Sequence, residues 1–338
     1  METTFGNDFA IACGLVNVSN VNSSVNQPVL TVEQFYRTHS QALELRLIAG
    51  ATGLSRKIRE GTVNRPGLAL AGFYKYFADK RIQVLGSAET TYLNSLSQRL
   101  QRERVSKLLD NSNIPCVIFS RSLNPPKIFL EEAEKFCVPI FKCPHITARL
   151  VNTATIFLEA DFAPTTQEHG SMVDIRGSGV LIRGASGIGK SECVLSLLER
   201  GYSLVADDIT RIRLMNGCEL VCASPELSRC HMEVRGIGII DVASMFGISA
   251  IRREKLLNIV VTLMEWDKVE DVDRLGIDRQ FYNIMGVKIP HVTIPVRPGR
   301  DLSRLVEVAA FDQQLKNMGH NTALEFNRKL LQTIQKDS

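Results

Sequence analysis

Gly184-Ala185-Ser186-Gly187-Ile188-Gly189-Lys190-Ser191 fits the pattern G-x-x-x-x-G-K-[ST]. At average residue usage a chain of 338 residues matches it by chance about once in a hundred, so its neighbours decide the reading. Gly179-Val180-Leu181-Ile182-Arg183 is a short apolar run that predicts a strand. Ser191 to Arg200 carries Val194, Leu197 and Leu198 on one side and predicts a helix. Strand, glycine loop and helix in that order predict a phosphate-binding loop. Its glycines let consecutive N–H groups turn toward phosphate oxygens, Lys190 places a charge at the β- and γ-phosphates, and the Ser191 hydroxyl can ligate Mg²⁺. The alternative is a glycine-rich turn with no ligand.

Downstream, Tyr202 to Ala206 predicts a strand ending in Asp207-Asp208. Ile209 to Met215 and Cys218 to Ala223 flank Asn216-Gly217, which predicts a tight hairpin because both central residues of a type I′ turn need positive φ. An antiparallel hairpin at this point implies a mixed nucleotide-binding sheet. Strands follow at Asn258 to Met264 and His291 to Val296. Two helices close the chain, one from Asp301 with Leu302, Leu305, Val306 and Ala309 in phase, one from Asn321 with Ala323, Phe326, Leu330 and Ile334.

Upstream, residues 1–28 read as a flexible extension. Thr31-Val32-Glu33-Gln34 offers a capping box. Strands are expected at Leu43 to Ile48, Ile82 to Leu85, Cys116 to Phe119 and Val138 to Phe141, and helices at Glu89 to Leu100 and His145 to Ala160. The chain is therefore expected to be α/β: an N-terminal α/β domain over 29–160 and a phosphate-loop domain over 161–338.

The bulk properties exclude several classes. Hydrophobic residues make up 44% and charged residues 22%, as in a globular protein rather than a disordered one. The net charge of +4 gives no ground for a nucleic-acid role, since Arg99, Arg102, Arg104 and Lys107 sit at helical spacing among Gln, Glu and Leu, as on a solvated face. No apolar run reaches membrane-span length. Met1 to Ala10 lack the basic region of a signal peptide, so a cytoplasmic location is expected. Cys218, Cys222, Cys230 and His231, like Cys137, Cys143 and His145, lack paired zinc-ligand spacing and read as buried thiols.

A phosphate loop does not name a phosphoryl acceptor. Asp207 and Asp208 suit a metal and a proton transfer together, or an Asx turn opening the hairpin. Spacing alone assigns His169 nothing. The stretch Met232-Glu233-Val234-Arg235-Gly236-Ile237-Gly238-Ile239-Ile240-Asp241 suits a second Mg²⁺ ligand or a simple turn. Pro295-Val296-Arg297-Pro298-Gly299-Arg300 suits phosphate recognition or a solvated turn.

Taken together these pieces resemble the HPr kinase/phosphorylase family. The matching pieces are His169-Gly170, Gly179 to Ile182, Gly184 to Glu192, Leu204 to Asp208, Glu233 to Gly236 with Ile239 to Val242, Arg274, Pro295 to Arg300, and in the first domain Arg65 to Leu68 and Arg81 to Gly86. They span roughly residues 30 to 330. The family has Leu where Ile237 stands here, a conservative change. The resemblance implies a kinase domain related in fold to phosphoenolpyruvate carboxykinase. It implies a bifunctional enzyme that uses ATP and Mg²⁺ to phosphorylate a serine of the phosphocarrier protein HPr, and inorganic phosphate to remove that group as pyrophosphate, in the control of carbon metabolism.

By the same resemblance Asp208 is the general base and, in reverse, the acid, while Lys190 neutralises charge on the transferring group. Ser191 and Glu233 hold Mg²⁺, and His169 and Arg274 are catalytic. Residues 232–241 serve both reactions and 295–300 serve dephosphorylation. A hexamer is implied, with HPr docking on the C-terminal domain. The competing readings are a nucleotide switch, which needs the loop but neither a base nor a second cation, and a small-metabolite kinase.

Overall fold

The computed structural model describes residues 30–269 and 280–336. They form two compact units that divide between Ala163 and Pro164.

The first unit opens with β1 (Leu30–Thr31) and α1 (Val32–Leu43), then β2 (Arg46–Ala49), β3 (Lys57–Ile58), β4 (Val63–Asn64), α2 (Gly67–Leu70) and β5 (Ile82–Leu85). It continues through α3 (Ser87–Ser95), α4 (Gln98–Leu109), β6 (Val117–Phe119), α5 (Lys127–Lys135), β7 (Ile140–Lys142) and α6 (Thr147–Phe162). The sheet order is β2-β7-β6-β5-β4, parallel except for β2. Alternation along β6 divides the core. Val117 and Phe119 pack with Leu93, Leu108 and Phe129 on one face, while Cys116 and Ile118 pack with Phe35, Leu150 and Leu158 on the other. Helices thus cover both faces, which is why these strands read as continuous apolar runs.

Two expectations need correction here. Leu43 ends a helix rather than starting a strand. The Thr31–Gln34 capping box forms, and the helix it opens buries Val32, Phe35, His39 and Leu43 along one stripe. The chain then turns at Glu44, φ +50, before β2. The single helix expected over 89–100 is two. Leu96 is extended, and the Ser97 hydroxyl accepts from Leu100 N at 3.4 Å to start α4. The other boundaries in this unit shift by at most two residues.

The second unit contains β8 (Thr165–His169), β9 (Ser171–Ile175), β10 (Ser178–Gly184), α7 (Lys190–Glu199), β11 (Ser203–Ala206), β12 (Ile209–Met215) and β13 (Glu219–Ala223). Then come β14 (His231–Val234), β15 (Gly238–Asp241), α8 (Val242–Phe246), β16 (Glu254–Glu265), β17 (Gln280–Ile284), β18 (Val287–Val296), α9 (Leu302–Asn317) and α10 (Thr322–Lys336). The main sheet is mixed, as the hairpin required: its path is β11-β9-β10-β16-β13-β12-β8, and β18 joins both β16 and β17. Asn216 and Gly217 both have positive φ, 52° and 72°. The long strand β16 lies parallel to β10 and β18 and antiparallel to β13. The carboxyl ends of β10, β16 and β18 therefore point the same way, where an α/β sheet places its ligands.

Val180 and Ile182 of β10 pack with Val194 and Leu197 of α7 and Val306 of α9, whereas Leu181 faces Ile212, Leu220 and Val260. The α9 cap ties this layer together. Asp301 accepts from Arg304 N at 3.0 Å and Ser303 Oγ at 2.6 Å, and pairs with Arg200 at 2.7 Å. The Ser303 hydroxyl, the Arg304 amide and the Arg200 guanidinium hold its carboxyl at about 2, below the usual 3.8. A depressed carboxylate contributes stability above its unfolded value and loses it as pH falls through the folded one. Asp301→Ala is therefore expected to lower Tm above pH 5, with the gap to the parent closing as pH drops from 3.8 toward 2; a gap constant over that range would refute the linkage.

The thiols are less uniform than expected. Cys143 and Cys222 are buried, Cys137 is exposed, and Cys218 and Cys230 are half-buried. Burial pushes the Cys222 thiol up to about 12. No helix among the described residues is long and apolar enough to cross a membrane.

Candidate active site

The glycine loop joins the end of β10 to the start of α7. Gly184 has φ +154°, and a Cβ there would stand 2.7 Å from the Leu263 carbonyl oxygen of β16. Gly187, at φ +82°, would put a Cβ 2.8 Å from Arg235 Nη1. Glycine is needed at Gly184 for both conformation and space, and at Gly187 for conformation, since the Arg235 side chain can move aside. Lys190 folds back, its Nζ donating to the Gly184 and Ala185 carbonyls at 2.9 and 3.1 Å. The first turn of α7 leaves its N–H groups toward the loop, the arrangement that favours an anion.

Beside the loop lies a cavity of about 270 Å³, walled by Lys190, Ser191, Ser171, Asp208, Glu233 and Arg235 among others. The two strand-end aspartates differ sharply within it. Asp207 is buried; its Oδ1 accepts from Ser171 Oγ at 2.7 Å and its Oδ2 from the Glu233 amide at 3.2 Å. Burial pushes its carboxyl above the usual range, outweighing those hydrogen bonds. Asp208 is exposed, with φ +60°. Ile209 N donates to Asp207 O at 2.7 Å across it, a γ-turn, and Gly170 N donates to its own carbonyl at 2.8 Å. A γ-turn with positive φ is strained, and it presents the Asp208 carboxylate at the cavity wall. The Asp207 side chain makes no Asx turn, and both its oxygens are engaged on other elements, so the acids do not act as an equivalent pair.

Glu233 comes from β14, which pairs with β15 in a separate two-stranded ribbon. The Asp207–Glu233 amide bond anchors this ribbon to the cavity at one point. A second tie is Arg235 Nη2 donating to Ser186 Oγ at 3.1 Å, which lays the ribbon's turn against the loop. Ser171 and the Arg235–Ser186 contact escaped sequence reasoning. Ser171 adjoins His169-Gly170, but nothing in its residue type distinguishes it.

His169 ends β8 opposite Ile209, exposed and next to the Asp208 turn, outside the cavity lining. Arg274 lies outside the described residues. Residues 295–300 also stand outside the lining, at the carboxyl end of β18, which pairs with β16. There the Arg297 guanidinium lies 3.2 Å from the ring centre of Trp266, the single tryptophan of the chain, while Arg300 Nη1 donates to Pro295 O at 3.3 Å. A cation over an indole excludes water from that face. Arg297→Ala is expected to shift tryptophan emission to longer wavelength, and unchanged emission would mean that the stack does not persist in solution.

A glycine loop between strand and helix, its lysine, and a strand-end aspartate across one cavity define a phosphate-loop protein of the kinase class. Comparison with known proteins narrows this. The HPr Serine kinase C-terminal domain matches residues 160–330, and the HPr Serine kinase N terminus matches residues 30–158. An HPr kinase/phosphorylase of Geobacter sulfurreducens is 40% identical over 311 residues, 92% of this chain and 97% of the relative. One of Exiguobacterium sp. is 44% identical over 295 residues, 87% of this chain and 94% of the relative. The solved HPr(Ser) kinase/phosphatase of Coxiella burnetii is 31% identical, over 48% of this chain and 98% of its own, with a TM-score of 0.44. The chain belongs to the HPr kinase/phosphorylase family.

Proposed function

We propose that this enzyme transfers the γ-phosphoryl group of ATP to a serine hydroxyl of HPr, and removes it again with inorganic phosphate, releasing pyrophosphate. The observation that carries the reading is the meeting of Lys190, Ser191, Asp208 and Glu233 on one cavity. A nucleotide switch needs the first two and has no use for an exposed carboxylate held at strain opposite them.

The donor set fits a magnesium nucleotide. Glu192, Asp207, Asp208 and Glu233 line the cavity against Lys190 and Arg235, so a triphosphate entering alone meets an excess of carboxylates. Among the described residues no three His, Cys, Asp or Glu side chains form a ready metal cluster. That suits Mg²⁺, which takes one or two protein groups and completes its shell with phosphate oxygens and water. Ser191 and Glu233 are the groups that would hold it. When bound, the ion neutralises charge on the phosphate oxygens.

The chain's own residues supply the rest. Asp208 takes the proton from the serine hydroxyl as its oxygen attacks the γ-phosphorus and the bond to ADP breaks. In reverse, a phosphate oxygen attacks the phosphoserine phosphorus, the serine oxygen leaves, and protonated Asp208 returns the proton, giving serine and pyrophosphate. Lys190 leaves the Gly184 and Ala185 carbonyls to bind the transferring group. His169 and Arg274 balance charge there. Asp207 does not touch the reacting atoms; it positions residues 232–241 through the Glu233 amide. Residues 295–300, with Arg297 and Arg300, bear on dephosphorylation. The resemblance extends the proposal to a hexamer in the cytoplasm.

The test is phosphorylation of HPr on serine by purified enzyme with ATP and Mg²⁺, followed by phosphate-dependent release of pyrophosphate from the product. Bound nucleotide without labelled HPr would sink the proposal in favour of the switch. Arg297→Ala and Arg300→Ala should slow pyrophosphate release more than forward transfer, and equal losses would argue against a selective role.

A further inference from the structure

His169 and the phosphate loop belong to different parts of the main sheet, and one arginine joins them. β8 ends one side of the sheet path and β9 is next to last on the other, yet the two follow each other in the chain through Gly170. His169 and the Asp208 turn meet at this junction. Gly170 N donates to the Asp208 carbonyl at 2.8 Å, and the hydroxyl of buried Thr210 donates to the Gly170 carbonyl at 2.8 Å. The register of β9 on β10 sets Ser171 opposite Ile182, which brings Gly170 beside Arg183, the residue before the loop. The approach is close: a Cβ at Gly170 would stand 2.6 Å from the Ile182 carbonyl oxygen and 3.2 Å from Arg183 Cγ.

Arg183 then reaches past Gly170 to β8. Its Nη2 pairs with Glu168 Oε2 at 3.2 Å, the two side chains 26% and 20% exposed. The guanidinium lies over the Tyr282 ring of β17, 4.3 Å from its centre, and the Tyr282 hydroxyl donates to the same carboxylate at 3.4 Å. Tyr282 is held in turn: its ring leans on His291 with centres 5.8 Å apart, and His291 Nε2 lies 2.8 Å from Thr262 Oγ1. Arg183 Nε is buried with no hydrogen-bond partner among the described residues, so Glu168 and the ring fix the guanidinium. One side chain thus borders both neighbours of His169, with its stem at Gly170 and its charge at Glu168. A largely covered ion pair adds little net stability after desolvation, but it sets where its partners lie. We propose that Arg183 is a positioning residue for phosphoryl transfer, holding His169 beside the Asp208 turn and against the phosphate loop. The proposal rests on the catalytic reading of His169 given above.

The test measures transfer to HPr at saturating ATP, together with calorimetric ATP binding, on the full chain. Arg183→Met keeps a stem beside Gly170 and removes the charge. It should lower kcat about tenfold or more while ATP affinity stays within about twofold, because a displaced catalytic group costs rate rather than binding. Arg183→Lys, which keeps a charge for Glu168, should recover most of the loss. In a His169→Ala background Arg183→Met should cost no more than about twofold further, since the group it positions is gone. Should loss of one partner unfold the chain, Arg183→Met/Glu168→Gln, which leaves neither charge unpaired, is measured in the same way. Normal transfer by Arg183→Met overturns the inference, and so does a loss of ATP affinity as large as the loss of rate. If His169→Ala is impaired and Arg183→Met multiplies that loss in full, the inference fails and the catalytic reading of His169 stands. A fully active His169→Ala enzyme would remove that reading, and this inference with it.

Discussion

Asp208→Asn is expected to lower phosphoryl transfer about 10³-fold in both directions while leaving ATP affinity within about twofold, the range set by removing a positioned acid–base group. The substitution is well suited to the site. Asn shares with Asp a tolerance for the left-handed conformation, and the γ-turn around residue 208 uses only backbone atoms, so the fold has no reason to change. What disappears is an acceptor for the serine proton. Single-turnover transfer to HPr, pyrophosphate release and calorimetric ATP binding measure the three quantities. Full activity in either direction refutes Asp208 as the base, and loss of ATP binding would show a structural effect instead. Asp207→Asn provides the contrast. An amide there can accept from the Glu233 amide with its oxygen and donate to Ser171 Oγ with its nitrogen, so transfer should fall far less than for Asp208→Asn.

Lys190→Ala should weaken ATP about 10-fold or more and reduce transfer by a further factor of about 10², since the lysine meets the ground state and meets the charge that develops on the transferring group more strongly. Lys190→Arg is expected to restore little. On leaving the Gly184 and Ala185 carbonyls, the ammonium meets the phosphate as a point charge beside a loop that Arg235 ties at Ser186. A planar guanidinium is not a substitute for a compact point charge in that space. Nucleotide titration and steady-state kinetics separate the two effects. A variant that loses only ATP affinity, with transfer normal at saturating ATP, would confine Lys190 to binding.

The legible parts of this protein share a local cause. The strand, glycine loop and helix at 178–199 were readable because each element draws on residues adjacent in sequence: an apolar run, positive-φ glycines and a one-sided helix. The Asn216-Gly217 hairpin and the Thr31 capping box belong to the same kind. Misreadings arose where two local rules competed. Leu43 satisfied both the end of a helical stripe and the start of an apolar run, and the burial of the stripe against the first unit's sheet decided it. The helix over 89–100 had correct spacing, but spacing does not reveal that Ser97 prefers to cap a new helix rather than continue an old one.

The loop and the acid pair Asp207-Asp208 after it were thus set by sequence alone, because glycine conformations and residue chemistry are local properties, while Glu233 entered through the family resemblance. Only the tertiary structure separated the two aspartates. Burial raises one carboxyl, whose two oxygens are occupied by Ser171 and the Glu233 amide, whereas a strained backbone presents the other to the cavity. That difference arises from groups 26 to 36 residues away in sequence, brought close by strand pairing and burial, which no local pattern in Asp207-Asp208 can encode.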